Sequence, residues 1–240
     1  MNNILRISTA FTFVTAFLVG CAADTDEGDE AVASNEQEIR RASPANAFAE
    51  AVLVDNYCSG ALIAPRVVIT ARHCVARTNT NVTITAPFSG AAAVNSSAGD
   101  RYEGNQGVDV GLLYLDAPIT LDRYPKIAKN ALPDNARAIL IGRNNDSNYS
   151  YTKLFRATYR VTTGQSGRTY KIDESVLRAG DSGGPDFAAT EKDHVLVAVN
   201  SSEERGTAYL ARVDGITDWI QNRVQSHGGF GPGGGFTRVK

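Results

Sequence analysis

The feature that most constrains the fold is a series of short apolar runs, from Ala51 onward, broken by Gly, Pro, Asn, Asp and Ser. The run Val82–Thr85 alternates apolar and polar side chains, as a strand with one buried face does. Many short strands without helical patterns between them are typical of β-barrels and β-sandwiches. We therefore predict an all-β fold, with candidate strands at Ala51–Asp55, Cys58–Ile63, Val67–Thr70, Val82–Ala86, Val110–Leu115, Ala138–Gly142, Arg156–Val161, Val195–Asn200 and Thr207–Val213.

One helix is predicted near the C-terminus, followed by a glycine-rich segment. Four apolar side chains at helical spacing form a single stripe: Ile216, Trp219, Ile220 and Val224. Asp214 or Thr217 is expected to cap the first turn of this helix. Residues 227–240 are rich in glycine, so we predict a flexible tail that is not packed on the domain.

The first 21 residues have the pattern of an export signal. Arg6 supplies the positive start, and residues 7–20 are apolar or small but too few to span a bilayer stably. The stretch that ends at Cys21 resembles a bacterial lipobox, in which the cysteine is acylated and becomes the N-terminus. The alternative is a plain secretory signal cleaved near Cys21 or Ala23. Both predict export, either to a lipid anchor in a bacterial cell envelope or as a secreted protein.

Residues 22–38 contain seven acidic side chains and no Lys or Arg. This segment lacks the apolar content needed to fold alone, so we predict a disordered tether or pro-segment ahead of a domain at residues 39–226. The formal net charge of the whole chain is −2, so nothing points to nucleic acid as a partner.

The hexapeptide at residues 180–185 (Gly-Asp-Ser-Gly-Gly-Pro) carries the clearest chemical signal. Acyl transfer needs an exposed hydroxyl on a tight turn, with backbone N–H groups directed at the developing oxyanion. Glycines on both sides of a serine permit such a backbone conformation. We therefore predict Ser182 as a nucleophile, with an oxyanion hole formed by the N–H groups of Gly180 and Ser182.

A nucleophilic serine needs a base and a group that orients that base. The chain has three histidines. His227 lies in the predicted tail and His194 opens a strand, whereas His73 follows an apolar strand and directly precedes a cysteine. His73 is therefore the candidate base. Asp109, at the head of an apolar strand, is the candidate orienting carboxylate.

The cysteine content gives two alternatives. If Cys21 is acylated, Cys58 and Cys74 remain, and export favours a disulfide between them over two free buried thiols. No histidine pair at helical spacing and no further Cys/His cluster is present, so we expect no metal and no cofactor.

Together these segments resemble the trypsin/chymotrypsin family of serine proteases, from about Ala51 to Val224. Residues 58–63 resemble the family's Cys-Gly-Gly-Ser-Leu-Ile strand, and residues 68–74 resemble its Val-Leu-Thr-Ala-Ala-His-Cys. Residues 109–115 resemble its Asp-Ile-Ala-Leu-Leu-Lys-Leu, and the order His, Asp, Ser is also the family's.

The resemblance implies two six-stranded antiparallel β-barrels with a C-terminal α-helix and a site in the cleft between the barrels. It also implies a disulfide between Cys58 and Cys74. The implied activity is that of a serine endopeptidase with His73, Asp109 and Ser182 as its triad. We expect a monomer that acts on protein or peptide substrates. The alternative is a catalytically silent homologue that serves as a surface binding module.

The sequence departs from the family in two places. In the family, a new N-terminus freed by cleavage pairs with the Asp before the nucleophile, here Asp181. We expect a zymogen whose new N-terminus is Ile39 or Ala42.

The second departure is in the specificity pocket. Trypsin-like relatives have an Asp at the base of this pocket, six residues before the nucleophile, and this chain has Val176 there. The predicted pocket has an apolar base and narrow walls and favours small or medium apolar P1 residues; its residues are Val176, Ser201, Ser202 and Ala208.

Overall fold

A computed structural model of the chain describes residues 42–75, 81–104, 108–145, 148–190, 192–227 and 233–240. The predicted export signal, Cys21, the acidic segment and Ile39 lie outside the described residues. Across the described part of the chain, no helix combines the length and apolar character needed to cross a membrane.

The N-terminal half of the domain forms a closed antiparallel barrel of six strands, here called the first barrel. A short strand precedes it, and the strands in chain order are β1 (Ser43–Pro44), β2 (Ala51–Val54), β3 (Cys58–Ala64), β4 (Val67–Thr70), β5 (Val82–Thr85), β6 (Val94–Arg101) and β7 (Gly111–Leu115). The ring runs β2-β3-β4-β7-β6-β5.

The C-terminal half forms a second closed barrel. Its region contains β8 (Lys126–Ala128), β9 (Ala136–Gly142), β10 (Asn144–Asn145), β11 (Asn148–Tyr149), β12 (Phe155–Thr163), β13 (Thr169–Ile172), β14 (Pro185–Ala188), β15 (Val195–Glu204), β16 (Thr207–Arg212), the helix α1 (Thr217–Ser226) and β17 (Phe236–Thr237). The antiparallel ring of this second barrel is β14-β9-β12-β13-β16-β15, closed because β14 pairs with both β9 and β15.

The alternation of side chains along the strands explains how the barrels pack. On β2, Val52 and Val54 belong to the apolar cluster that fills the first barrel. Leu53, between them, belongs to a second cluster that it shares with Leu196 of β15 and Ile220 of α1. Successive side chains of a strand point to opposite faces, so one strand supplies both the barrel interior and the layer between the barrels and the helix.

The predicted apolar stripe lies on α1, where Ile220 and Val224 are buried. The predicted cap is wrong, because Ile216 is the N-cap residue and no side chain caps the helix. Asp214 instead lies in a 3₁₀ turn and accepts two hydrogen bonds from Arg212, at 2.7 and 2.9 Å. The carboxylate gains more from a guanidinium partner than from neutral backbone donors.

The prediction of an unpacked tail is wrong for residues 233–240. Strand β17 pairs in parallel with β8, and Val239 is 6 % exposed within the apolar cluster of the second barrel. The side chain of Asn130 donates to the carbonyl of Val239 and accepts from its N–H, both at 3.0 Å. The apolar side chains of Phe236 and Val239 gain burial there, which outweighs the flexibility of the glycines before them. His227, the C-cap residue of α1, stacks on Tyr114, with ring centroids 3.5 Å apart.

Candidate active site

His73 lies in a 3₁₀ turn, Arg72–Cys74, that directly follows β4. The next residue, Cys74, forms a disulfide with Cys58 at the start of β3. The pairing implied by the family resemblance is therefore confirmed. The bridge joins the turn to a fully buried strand and so restrains the backbone of His73.

Asp109 holds both the ring and the backbone of His73. Its Oδ2 lies 2.8 Å from Nδ1 of the imidazole, and its Oδ1 accepts the backbone N–H of His73 at 3.1 Å. With Nδ1 engaged, Nε2 is the ring nitrogen left to accept a proton. The hydrogen bond to Asp109 raises the pKa of His73, against the opposing effect of burial.

A second donor reaches the same carboxylate. The hydroxyl of Ser201 on β15 donates to Oδ2 of Asp109 at 2.7 Å. Burial acts to raise the pKa of Asp109, but the hydrogen bonds from His73 and Ser201 outweigh it and the pKa is lowered. Asp109 is thus held as an anion. Ser201 is also a predicted residue of the specificity pocket, and that role stays a prediction.

The turn that carries Ser182 leaves two backbone donors unused. The N–H groups of Asp181, Gly183 and Gly184 donate to carbonyls at 3.0, 2.7 and 2.9 Å. Those of Gly180 and Ser182 donate to no residue in the described part of the chain. Gly180 and Gly183 have φ of +93° and +79°, a region that favours glycine. The two unused donors are those predicted for an oxyanion hole.

The backbone of Ser182 lies against the segment that carries His73. Its carbonyl accepts the N–H of Ser59 at 2.8 Å and is 3.7 Å from the Sγ of Cys74. A Cβ atom on the next residue, Gly183, would lie 2.0 Å from Oγ1 of Thr70, so this close approach requires glycine. The hydroxyl of Ser182 makes no hydrogen bond to a described residue. The structure therefore places the backbone of Ser182 beside Cys74, the residue after His73, with no hydrogen bond between the side chains of Ser182 and His73.

Asp181 is 3 % exposed and surrounded by donors. Its carboxylate accepts the backbone N–H groups of Arg143, Asn144 and Arg178 at 2.7, 3.0 and 2.9 Å, and the side-chain amide of Asn144 at 2.9 Å. Burial raises the pKa of Asp181, although these hydrogen bonds act in the opposite direction. Ala42 and Asp181 both line a cavity of about 10 Å³. Of the two candidate N-termini, Ala42 is thus near Asp181, and Ile39 lies outside the described residues.

Sequence reasoning missed Arg143, which is fully buried between the two barrels. Its Nε donates to the carbonyl of Cys58 at 2.8 Å, and its Nη2 donates to the carbonyls of Val54 at 3.2 Å and of Asp55. Its own backbone N–H binds Asp181. No sequence signal marks it, since an arginine at the end of a strand is ordinarily exposed.

The remaining predicted pocket residues differ in their burial. Val176 and Ala208 are buried in the apolar cluster of the second barrel, and Ser202 is exposed. Glu203, which carries no signal in the sequence, is opposite Ala208 in the strand register.

Among the described residues, one group of potential metal ligands lies close together: Cys58, His73 and Cys74, with ligand atoms within 4.8 Å of one another. The two sulfurs are joined in the disulfide, so they do not offer thiolate ligands.

Two closed six-stranded antiparallel barrels and a single C-terminal helix in the described chain are the chymotrypsin fold. A family model described as Trypsin matches residues 37–220. The chain therefore belongs to the trypsin family and is serine-protease-like. A search of curated proteins gave no match.

Proposed function

We propose that the protein is a serine endopeptidase that acts through Ser182, His73 and Asp109. One arrangement carries the proposal. Asp109 holds Nδ1 of His73 at 2.8 Å, beside a turn in which the N–H groups of Gly180 and Ser182 have no described acceptor. A base with a fixed tautomer next to two unused backbone donors suits acyl transfer.

In this mechanism the Oγ of Ser182 attacks the peptide carbonyl carbon while its proton moves to Nε2 of His73. The oxyanion accepts the N–H groups of Gly180 and Ser182. The C–N bond then breaks, and the leaving amine takes the proton from His73. Water attacks the resulting ester with His73 again as the base, which releases the acid and restores the hydroxyl. Asp109 stabilises the imidazolium in both halves of the cycle.

A catalytically silent homologue that acts as a surface binding module is the alternative. The observation in its favour is that the hydroxyl of Ser182 makes no hydrogen bond to His73. Such bonds are often long before substrate binds and tighten in the complex, so we favour the enzyme.

We also propose that the protein is made as a zymogen. Ala42 lines the cavity of Asp181, and β1 begins at the next residue and pairs with β12. Three residues of extended chain span about 10 Å, so a chain start at Ile39 would still be within reach of the cavity that Ala42 lines. Burial raises the pKa of Asp181, and an ammonium group in that cavity would stabilise the charged form of its carboxylate.

The chain before the domain supports a location outside the cytoplasm. A lipid on Cys21 would tether the enzyme to a membrane through the acidic segment, and a plain signal cleavage would release it. We propose a monomer with protein or peptide substrates. Metabolic labelling with a radioactive fatty acid tests the anchor, with Cys21→Ser as its control.

The decisive experiment is intact-mass analysis of residues 22–240 with a fluorophosphonate probe, before and after limited proteolysis. One adduct that appears only after proteolysis, and is absent in Ser182→Ala, supports an enzyme made as a zymogen. N-terminal sequencing should then find Ile39 or Ala42. An adduct before proteolysis removes the zymogen proposal, and no adduct in either state favours the binding module.

A further inference from the structure

Glu203 is an acidic side chain held against the segment at residues 175–178, which precedes the nucleophile turn. It lies on β15, two residues after Ser201, whose hydroxyl binds Asp109. Its carboxylate accepts hydrogen bonds from the Oγ of Ser175 and from the backbone N–H of Leu177, the latter at 3.1 Å. It also lies 3.3 Å from Nη1 of Arg178.

These contacts connect two parts of the candidate active site. One end of the connection is the strand that holds Asp109 through Ser201. The other end is the segment at residues 175–178, which leads directly into the nucleophile turn, since Arg178 donates its N–H to Asp181. The carboxylate of Glu203 therefore lies between the strand and the segment that enclose the predicted pocket.

The predicted apolar residues of that pocket are not accessible. Val176 is 4 % exposed and Ala208 is fully buried, both within the second barrel. The side chain of Glu203 is 24 % exposed, and that of its partner Arg178 is 50 % exposed. A substrate side chain that enters this space would therefore meet a carboxylate rather than an apolar base.

We propose that Glu203 determines specificity and selects a lysine or arginine side chain on the acyl side of the cleaved bond. This inference rests on the proposed endopeptidase function. An apolar side chain in the same place would separate Glu203 from Arg178 and leave the carboxylate desolvated without a cation, which is costly. A cationic side chain replaces Arg178 as the partner, so the carboxylate remains paired.

The present partner of Glu203 is suited to displacement. The guanidinium of Arg178 is half exposed, and exposed ion pairs contribute little because water solvates both groups. The donors on the other side, Ser175 and the N–H of Leu177, belong to the protein and hold the carboxylate in place while its cation changes. The acidic side chain of this site therefore comes from β15, whereas trypsin-like relatives carry an Asp at the position of Val176.

The test compares activated enzyme on two fluorogenic peptides that differ only at P1, one with lysine and one with norleucine, its uncharged analogue of similar length. We expect kcat/KM to favour lysine by about 10- to 100-fold in the wild-type enzyme. Glu203→Gln should remove most of this preference, because kcat/KM for lysine falls with the loss of the carboxylate partner and kcat/KM for norleucine rises once no charge is left unpaired. Glu204→Gln, an exposed acid next in the strand, is the matched control and should keep the preference.

A second measurement needs no variant. Benzamidine, a small cation, should slow fluorophosphonate labelling of wild-type Ser182, and its neutral analogue benzamide should not. Equal or better cleavage after norleucine, or a lysine preference that survives Glu203→Gln, would overturn the role of Glu203 while leaving the endopeptidase intact. Absence of both hydrolysis and labelling in the wild-type protein would overturn the endopeptidase and this inference with it.

Discussion

The hydroxyl of Ser201 donates to Oδ2 of Asp109 at 2.7 Å, so this carboxylate oxygen is shared between a serine of the second barrel and the imidazole of His73. The sharing keeps Asp109 charged and oriented although it is largely enclosed, because each added donor stabilises the anion. It also makes the position of His73 depend on a strand from the other barrel.

Removal of that hydroxyl in Ser201→Ala should lower kcat/KM by about 10- to 100-fold, since a hydrogen bond to a charged group contributes roughly 1.5–3 kcal/mol. Ser201→Thr keeps a hydroxyl and should restore most of the activity. Steady-state kinetics on one peptide substrate measures both. If Ser201→Ala keeps full activity, the hydrogen bond does not support the base.

The pH dependence of activity should reflect the pKa of His73, because the imidazole must be neutral to accept a proton. The hydrogen bond to Asp109 raises this pKa above the ordinary histidine value of about 6.5. We therefore expect kcat/KM to decrease as the pH is lowered through this raised pKa. Arg101 acts in the opposite direction through its charge, and it donates to the carbonyl of Val75 at 2.6 Å.

The variant Arg101→Gln should therefore move the acid limb of the kcat/KM profile to higher pH. The exposed Lys153, changed to Gln, is a control of the same charge change and should leave the limb in place. A limb that moves to lower pH in Arg101→Gln would contradict the assignment of this limb to His73.

Asp186 on β14 is fully buried, and neither of its carboxylate oxygens has a hydrogen-bond partner among the described residues. Burial raises its pKa well above the ordinary value. The folded state then binds a proton more tightly than the unfolded state does, so this residue's contribution to stability is lost as pH rises through the raised pKa.

The isosteric variant Asp186→Asn should increase the free energy of unfolding at pH 7 by about 1–3 kcal/mol, because it removes the need to bury a charge or bind a proton. The gain should shrink toward pH 4, which urea unfolding at both pH values would measure. Asp122→Asn, at an exposed position, should change stability little at either pH. A variant less stable than wild type at pH 7 would show that Asp186 has a partner.

Arg143→Met should lower the free energy of unfolding by about 3 kcal/mol or more, since the carbonyls of Val54, Asp55 and Cys58 would lose a charged donor in a buried place. Methionine fills similar space without the donors. Arg156→Met, at an exposed position on β12, is the control and should be nearly neutral. Urea denaturation measures both, and equal stability of the two variants would contradict the buried role.

Much of the fold could be predicted because most of its strands are apolar. The candidate strands at residues 67–70 and 82–86 agree with β4 and β5 to within one residue. Strand β6 was not predicted because it is mostly polar and has no apolar run, with Ser96 as its one buried residue. Strand β14 escaped because it contains Asp186, and a charged residue argues against a buried strand.

Some residues of the candidate site could also be predicted from the sequence, and others could not. His73 and Asp109 could be chosen from their positions next to apolar strands, and the structure joins them. Ser201 was placed in the pocket and Glu203 was missed. The contacts of both depend on the register between β15 and β16 and on the path of residues 175–178, and local sequence carries no information on either.

Strand β17 covers one side of β8, whose other side pairs with β15. Without residues 233–240, β8 would present unpaired N–H and C=O groups along an open sheet edge, the kind of surface onto which a strand of another molecule adds. With them, the edge strand is only two residues long and offers few unpaired backbone groups to a strand of another molecule. The glycine-rich C-terminus therefore limits self-association through this sheet edge.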